Sequence, residues 1–481
     1  MSGLISNLAT SSKALGVHSK GLEIAGKNLA NINNRNYAKQ RVEIGDRGSI
    51  NRDIATESMG VEAMELRQNR DVLLDKSVMR EFTASSGLEA AKKVLESAEG
   101  ALGQFLDRTK DSSSIQNANG ASGGGISDAL TDFFNAWESF SVKPNDTGVK
   151  HLLIAKAQIL SDKINATDKN LNQVQIDADN QILTDIDIVN GILTEIAKTN
   201  EYIAKAELVK PYSAVDLRDQ RQAKLEELAK YIDVQFTATA PDGLGQIDVT
   251  SNGVSLISGK TVLGDYKYSS TTDVFSFDAT DNANDKTFTN SDLPNGKIGA
   301  QILASNGDVK SARNSIATLA TNLIKEVNDL YEIAAPAKAP NPATKFFLTP
   351  TSGLIQFNET DVTATALKAA ASVGGNKQAL DIAALATKSI SGLGTNVTFN
   401  SDFNKTVTVL AQKLNTTNIR LEDQKLSEEM ARSSRDEFSG VSQDEELTDL
   451  MKFQRSFQAT SRFINVVDNL LDQVVNRLGS F

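Results

Sequence analysis

The chain has 481 residues, which at about 150 residues per domain is enough for two to four domains. Its 50 Lys and Arg residues against 61 Asp and Glu residues leave a net charge of −11, which disfavours binding to nucleic acid or to a membrane surface. Cysteine is absent and the only histidines are His18 and His151, which excludes thiol nucleophiles, disulfides and Cys/His zinc sites and argues against a histidine-based triad.

No apolar run approaches the roughly 18 residues of a membrane-spanning helix, so we expect no membrane insertion. Residues 1–20 lack the basic start, apolar block and cleavage site of a signal peptide, so we expect no cleaved signal. The glycine run 123–125 fits no phosphate-binding pattern. The acidic residues 444–446 read better as helix-dipole partners than as calcium ligands. We therefore expect no cofactor, no metal and no catalytic activity.

The first predicted element is an N-terminal helix with a heptad repeat. Leucines recur every seven residues and, with the interleaved positions, form an a/d seam of about four heptads. The seam comprises Leu4, Leu8, Leu15, Leu22, Leu29 and Ile32. Such a stripe needs a partner, either the other end of the chain or a neighbouring subunit. The alternative, an ordinary helix packed on a globular core, stays open for one seam and is less favoured for two.

A second helical region follows. We predict a helix over 85–107, a loop over 112–125, and a short helix capped by Ser127 that carries a core aromatic cluster. That cluster is Phe133, Phe134, Trp137 and Phe140. Apolar residues at spacings of three and four then run from Gly148 to about Leu208, which predicts a helix of about 90 Å that Gly191 could interrupt.

We place the β structure between residues 232 and 298. Alternating segments flank Asn252-Gly253, which suits a two-residue hairpin turn, and Asn295-Gly296 is a second turn candidate. Helical patterns return over 310–333 and over about 404–438.

The sequence predicts where the C-terminal helix begins, and it gives this helix a second heptad seam. Ser442 and Glu445 fit a capping box, which predicts that the helix begins near Gln443. Apolar residues again repeat every seven positions. This seam comprises Leu450, Phe453, Phe457, Ile464, Val467, Leu471, Val474 and Leu478.

These elements predict a mainly α fold with a β-rich insertion, elongated and multidomain, in which the N- and C-terminal helices pair as an antiparallel coiled coil. We expect a terminal coiled-coil domain (1–40 and 440–481), a long-helix rod domain (41–235 and 301–439), a small β-rich domain (236–300) and a reduced outer insertion (336–405).

Three motifs resemble a known family, the rod, hook and hook-associated axial proteins of the bacterial flagellum. Residues 28–37 are similar to its N-terminal signature, with Asn28, Asn31 and Tyr37 in place and Asn36 where the family usually has glycine. Asn tolerates a left-handed backbone, so we expect the turn to survive. A helix with Asp216, Leu217, Asp219, Gln220 and Arg221 resembles a motif of the hook-associated members. Residues 439–459 resemble their C-terminal signature.

The resemblance implies a structural protein exported through the flagellar type III apparatus without signal cleavage. It implies an extracellular location at the junction of hook and filament, where the chain forms a ring-like homo-oligomer. The implied partners are further copies of the chain, the hook protein, a second junction protein and a cytoplasmic export chaperone that binds the C-terminal helix. The alternatives are a sibling axial protein and, less favoured, a cytoplasmic coiled-coil scaffold or an enzyme.

Overall fold

The structure is a computed structural model that describes residues 2–46, 49–52, 55–58, 61–103, 125–208, 213–239, 244–281, 284–335, 344–372 and 375–473. The predicted loop at 112–124, Val474 and Leu478 lie outside the described residues, as does the side chain of Leu4.

The prediction of a mainly α fold is confirmed. The helices are α1 (Ser2–Ala30), α2 (Val72–Ala101), α3 (Ile126–Val142), α4 (Thr147–Glu207), α5 (Val215–Tyr231), α6 (Lys297–Ile302), α7 (Lys310–Ala334), α8 (Lys377–Ala383), α9 (Phe399–Ser439) and α10 (Gln443–Asp472). A π-helical segment, Leu303–Val309, joins α6 to α7. None of the described helices combines the length and the apolar character that a membrane span requires.

The long helix α4 connects the two hydrophobic cores of the molecule. Its 61 residues form one helix, about 90 Å long, and Gly191 does not interrupt it. Asp146 caps its start by accepting hydrogen bonds from the N–H groups of Gly148 and Val149. Its first half, from Leu153, packs into one core and its second half, from Ile182, packs into the other.

The first core is aromatic and confirms the interpretation of the α3 cluster. Trp137 is fully buried, with its ring centroid 5.1 Å from that of Phe346 and 6.1 Å from that of Tyr331. Phe347 packs against Phe133 at 5.5 Å. The segment from Phe346 to Ile390, most of the predicted outer insertion, thus contributes its apolar side chains to the same core as α3 and α7.

The second core joins α4 and α5 to the β-rich unit. Its strands are β5 (Gln235–Ala238), β6 (Ile247–Ser251), β7 (Val254–Ser258), β8 (Thr261–Val262), β9 (Gly264–Ser269), β10 (Val274–Ala279) and β11 (Lys286–Phe288). They form a four-stranded antiparallel sheet in the order β5-β6-β7-β8 and a three-stranded one in the order β11-β10-β9. The predicted hairpin at Asn252-Gly253 is confirmed, since both residues have positive φ, 45° and 77°. Gly296, at φ 112°, precedes α6 instead of joining two strands.

The segment between α1 and α2 differs from the prediction. It contains two antiparallel strand pairs, outside the region 232–298 where the β structure was predicted: β1 (Gln40–Asp46) with β4 (Val61–Gln68), and β2 (Ser49–Arg52) with β3 (Ala55–Ser58). The β1–β4 pairing shifts register after Glu43, so the apolar alternation along these strands is broken. Helix α2 also begins earlier than predicted, at Val72, where Asp71 accepts a hydrogen bond from the N–H of Leu73.

Candidate assembly interface

The two terminal helices pack against each other along their lengths. Asn28 near the end of α1 meets Glu446 near the start of α10, and Gly21 meets Phe453, so the helices run antiparallel. The predicted pairing of the chain ends is confirmed.

Helix α10 turns its heptad face toward α1. The predicted positions are less exposed than the residues around them, and Val467, at 3% exposure, is buried. The half-buried members are Leu450, Phe453, Phe457, Ile464 and Leu471. This agrees with a seam at these positions.

Helix α1 uses a different face from its leucine repeat. Val17, Gly21, Ile24 and Asn28 are buried, whereas the leucines of the repeat lie roughly 80–140° around the helix from Gly21. Those leucines, Leu8, Leu15, Leu22 and Leu29, are half-buried, as is Ile32. The reason is the close approach at Gly21, where an added Cβ would lie 2.6 Å from the Phe453 ring. Heptad periodicity alone assigned the leucines to the seam, because it cannot detect this fit between Gly21 and Phe453.

Pairing leaves apolar surface on both helices. On α10 it comprises Leu447, Met451, Phe463, Val466 and Leu470, each at least 40% exposed. On α1, Ile5 is 58% exposed, beside the half-buried leucine stripe. The helical pair therefore retains an apolar surface that no described residue of its own chain covers.

A buried polar cluster joins the terminal helices to the body, and Asn28 is at its centre. The amide oxygen of Asn28 accepts hydrogen bonds from the Tyr37 hydroxyl at 2.7 Å and from the Gln40 N–H at 3.1 Å. The amide nitrogen donates to the Gln40 carbonyl at 2.8 Å and to the Glu446 carboxylate at 3.0 Å. Asn28 is 1% exposed, so all of its hydrogen-bonding capacity is used inside the protein.

The start of α10 is held by Lys39. Its ammonium group pairs with Glu445 at 2.6 Å and with Glu446 at 3.1 Å. Helix α10 begins at Gln443 as predicted, but the predicted capping box is wrong, because the Ser442 side chain makes no capping hydrogen bond. Glu445 is engaged by Lys39 instead.

The turn after α1 also differs from the prediction. Asn36 does not have a positive φ, so the expected left-handed position is wrong. The turn is closed by its own asparagines: Asn34 donates to the Asn31 side chain at 3.2 Å and accepts from the Asn36 N–H at 3.2 Å. An Asx-type turn of this kind needs no glycine.

Two arginines hold the carbonyl groups of this turn. Arg70 donates to the Asn36 carbonyl at 3.1 Å, to Asp219 at 2.7 Å and to Asp75 at 3.1 Å. Arg435, near the end of α9, donates to the Arg35 carbonyl at 3.3 Å.

The Arg435 guanidinium also pairs with Glu226 of α5 at 2.7 Å, and both side chains are buried. The body therefore grips the terminal segment through charge-assisted hydrogen bonds.

The residues of the internal motif divide between two places. Asp216 accepts from Lys27 at 2.7 Å and from Gln40 at 3.0 Å, and Asp219 pairs with Arg70, so both carboxylates belong to the polar cluster. Arg221 points the other way, donating to the Asn200 side chain and the Gly245 carbonyl at 2.7 Å each.

Burial lowers the pKa of Arg221 to about 10. Leu217 is half-buried and Gln220 is exposed.

The arginines of the cluster were not predicted from the sequence. Arg70, Arg435 and their partners Asp75 and Glu226 stand in ordinary helical or turn contexts, with no local signal of their role. One signal was available: helical periodicity places Arg435 and Glu226 on buried faces of their helices, where a charged residue is unusual.

Burial governs the acid–base properties of the cluster. It raises the pKa of Asp219 to about 6, against the opposing effect of the Arg70 guanidinium. Burial likewise raises the pKa of Asp75 above its usual range, and that of the Tyr37 hydroxyl, which also lies near Asp219 and Asp216.

Two family models match the chain. The model described as "Flagellar hook-associated protein FlgK helical domain" matches residues 112–347, and "Flagellar basal body rod FlgEFG protein C-terminal" matches residues 432–478. The first match spans α3 to α7 with the β-rich unit, and the second spans α10 and the end of α9. Together with the paired terminal helices, these matches define an axial structural protein of the bacterial flagellum.

Known relatives give the finer assignment. Over 523 aligned residues the chain is 21% identical to flagellar hook-associated protein 1 of Bacillus subtilis, with 100% of the chain and 99% of the relative covered. It is 24% identical over 263 residues to the Salmonella typhimurium protein of the same name, covering 54% of the chain and 43% of that relative.

A solved structure, the flagellar hook junction protein FlgK from Burkholderia pseudomallei, has a TM-score of 0.46 at 17% identity and covers 57% of the chain and 46% of that protein. By the helical-domain match and by the full-length alignment with the Bacillus subtilis protein, the chain is similar to flagellar hook-associated protein 1. These findings support a structural protein of the flagellar hook-filament junction that assembles with other flagellar components.

The Asn28→Asp substitution tests the centre of the polar cluster. It removes both amide donors and puts a carboxylate beside Glu446, so we expect amide hydrogen exchange in α1 to accelerate about 100-fold, equivalent to roughly 3 kcal/mol. Exchange measured by mass spectrometry checks this, with exposed Asn33→Asp as the matched control. Equal exchange rates in the two variants would contradict the assignment.

The Asp219→Asn substitution tests the pH dependence. The pKa of Asp219 is about 6 in the folded protein, against an ordinary value of 3.8 for an aspartate in the unfolded chain. Between these two pH values the folded state therefore binds more protons than the unfolded state. The free energy of unfolding should therefore fall as pH rises through this window, by on the order of 2 kcal/mol. Urea denaturation followed by circular dichroism at both ends of the window measures this fall.

Asp219→Asn should lose most of the dependence, whereas the exposed control Asp187→Asn should keep it. The same pH dependence in all three proteins would refute the assignment to Asp219.

Proposed function

We propose that the chain forms the junction between hook and filament by self-assembly through its paired terminal helices. In this proposal the subunits form a ring-like homo-oligomer that contacts the hook protein on one side and a second hook-filament junction protein on the other. The similarity to flagellar hook-associated protein 1 supports the location. The observation that carries the mechanism is the apolar surface left on α1 and α10 after they pair.

The position of the leucine stripe suits contacts between subunits. A heptad of leucines that is half-buried in the monomer needs a further apolar neighbour. In a ring, each helical pair has another pair on either side, so the stripe of one subunit can pack against the exposed α10 side chains of the next. Such a heterologous contact closes into a ring when the rotation between subunits permits.

We further propose the domain division made from the sequence: a terminal coiled-coil domain of 1–40 and 440–481, a rod of 41–235 and 301–439, a small β-rich domain of 236–300, and an outer insertion of 336–405. The polar cluster around Asn28 and Arg435 lies where the terminal domain meets the rod. The described part of the insertion packs on the rod.

A strain that lacks the gene tests the function. We expect electron microscopy to show hooks without filaments, with monomeric flagellin in the medium. Complementation by the Leu15→Asp, Leu22→Asp variant should fail, because two charges on the stripe oppose apolar packing between subunits. Ser19→Asp, on an exposed position of the same helix, should restore filaments.

Normal filaments in the deletion strain would contradict the assignment to the hook-filament junction. Filaments restored by the double leucine variant would remove the stripe from the interface but leave the location intact.

We also propose that α10 binds a cytoplasmic export chaperone before type III export. Its amphipathic sequence and its exposed apolar residues support binding in the groove of a partner helix pair. A chain free of cysteine also suits passage in an unfolded, reduced form.

Truncation at Gly440 should abolish co-purification of the chain with this chaperone from cell extract. The Leu15→Asp, Leu22→Asp variant retains α10 and should still co-purify. Chaperone binding that survives the truncation would place its site elsewhere in the chain.

A further inference from the structure

Strand β5 is the edge of the four-stranded sheet, and among the described strands it pairs with β6 alone. The Thr239 N–H bonds to the Gln246 carbonyl, and the same register joins residue 237 to 248 and residue 235 to 250. Because hydrogen-bonded pairs alternate along antiparallel strands, the N–H groups of Phe236 and Ala238 point away from β6. Since no other described strand meets this edge, it offers main-chain groups for pairing.

The free edge borders a cleft of about 1050 Å³ between the β-rich unit, α2 and α9. Residues 233–237 form one wall, and the segment 290–303 closes one end. The apolar side chains in the lining come from α2, β5 and the segment 290–303. They are Leu88, Phe236, Leu293, Pro294 and Leu303. Leu303 is 43% exposed, so apolar surface remains open to solvent there.

The charges around the cleft are mainly positive. Lys76, Arg80 and Arg420 line it, against the carboxylates of Asp233 and Asp423. Arg80 pairs with its neighbour Glu81 at 3.5 Å, which leaves Lys76 and Arg420 as the lining cations without an ion pair among the described residues. The Lys76 ammonium lies 5.0 Å from the centre of the Phe236 ring, and Asp233 accepts a hydrogen bond from the Ser251 hydroxyl at 3.2 Å. Two such cations in a chain of net charge −11 favour an acidic ligand.

We propose that this cleft binds an extended segment of a partner protein in which apolar and acidic residues alternate, added as a fifth strand along β5. The outward N–H groups bind the main chain of the segment. The period of two places its apolar residues on one face of the added strand, toward the apolar lining, and its carboxylates on the other, toward Lys76 and Arg420. No residue of α1 or α10 lines this cleft, so the proposal stands independently of the assembly mechanism.

Fluorescence anisotropy with the full chain tests the proposal. The probe is a fluorescein-labelled peptide of about ten residues that alternates Val and Glu. We expect a Kd below about 1 mM at low salt, and binding at least about tenfold weaker for the matched peptide that alternates Val and Lys.

Two variants separate the main-chain contact from the side chain. Phe236→Pro removes an outward N–H without removing a bond to β6, which an edge strand tolerates, and should weaken binding at least about tenfold. Phe236→Val keeps the N–H and should stay within a few-fold of the natural chain. Lys76→Glu with Arg420→Glu should abolish the preference for the acidic peptide; circular dichroism establishes that each variant is folded.

Three results would overturn the proposal. One is no binding of the acidic peptide at about 1 mM, and another is equal binding of the two peptides. The third is self-association of the full chain in sedimentation that Phe236→Pro abolishes, because the edge would then be occupied by a second copy.

Discussion

The saturated hydrogen bonding of one buried amide, Asn28, sets how the ends of the chain are attached to everything else. Its oxygen fixes the segment of Tyr37 and Gln40, and its nitrogen reaches Glu446 in the other terminal helix. A buried polar group of this kind admits few alternative geometries, because each lost partner leaves an unpaired donor or acceptor. The hydrogen bonds of Asn28 thus favour one antiparallel register of α1 and α10. That register in turn determines which apolar side chains are exposed to neighbouring subunits.

The elements that the sequence predicted well are those with long, local signals. The 61-residue α4 carries its apolar period throughout, and Asn252-Gly253 is a turn specified by two adjacent residues. Predictions failed where a distant partner decided the outcome. Gly21 admits Phe453 and so rotates the contact face of α1 away from its leucines, and Lys39 draws Glu445 out of the expected capping box.

The candidate interface was predictable in its parts but not in their convergence. The motifs at residues 28–37, 216–221 and 439–446 were each recognised, yet Asn28 and Glu446 are 418 residues apart along the chain. No periodicity or spacing reports a contact of that separation. The buried arginines, Arg70 and Arg435, became visible as anchors only when the fold placed carboxylates from α2 and α5 beside them.

The continuous helix α4 has a mechanical consequence. A flagellum transmits torque, and a helix of about 90 Å that is built into both cores makes the body one stiff beam. Bending under load would therefore concentrate at the two crossings, near Arg35 and Gly440, where a single chain segment connects the terminal helices to the body. Those crossings are braced by ion pairs and hydrogen bonds to Arg70, Arg435 and Lys39, so the load there is carried by polar contacts as well as by the backbone.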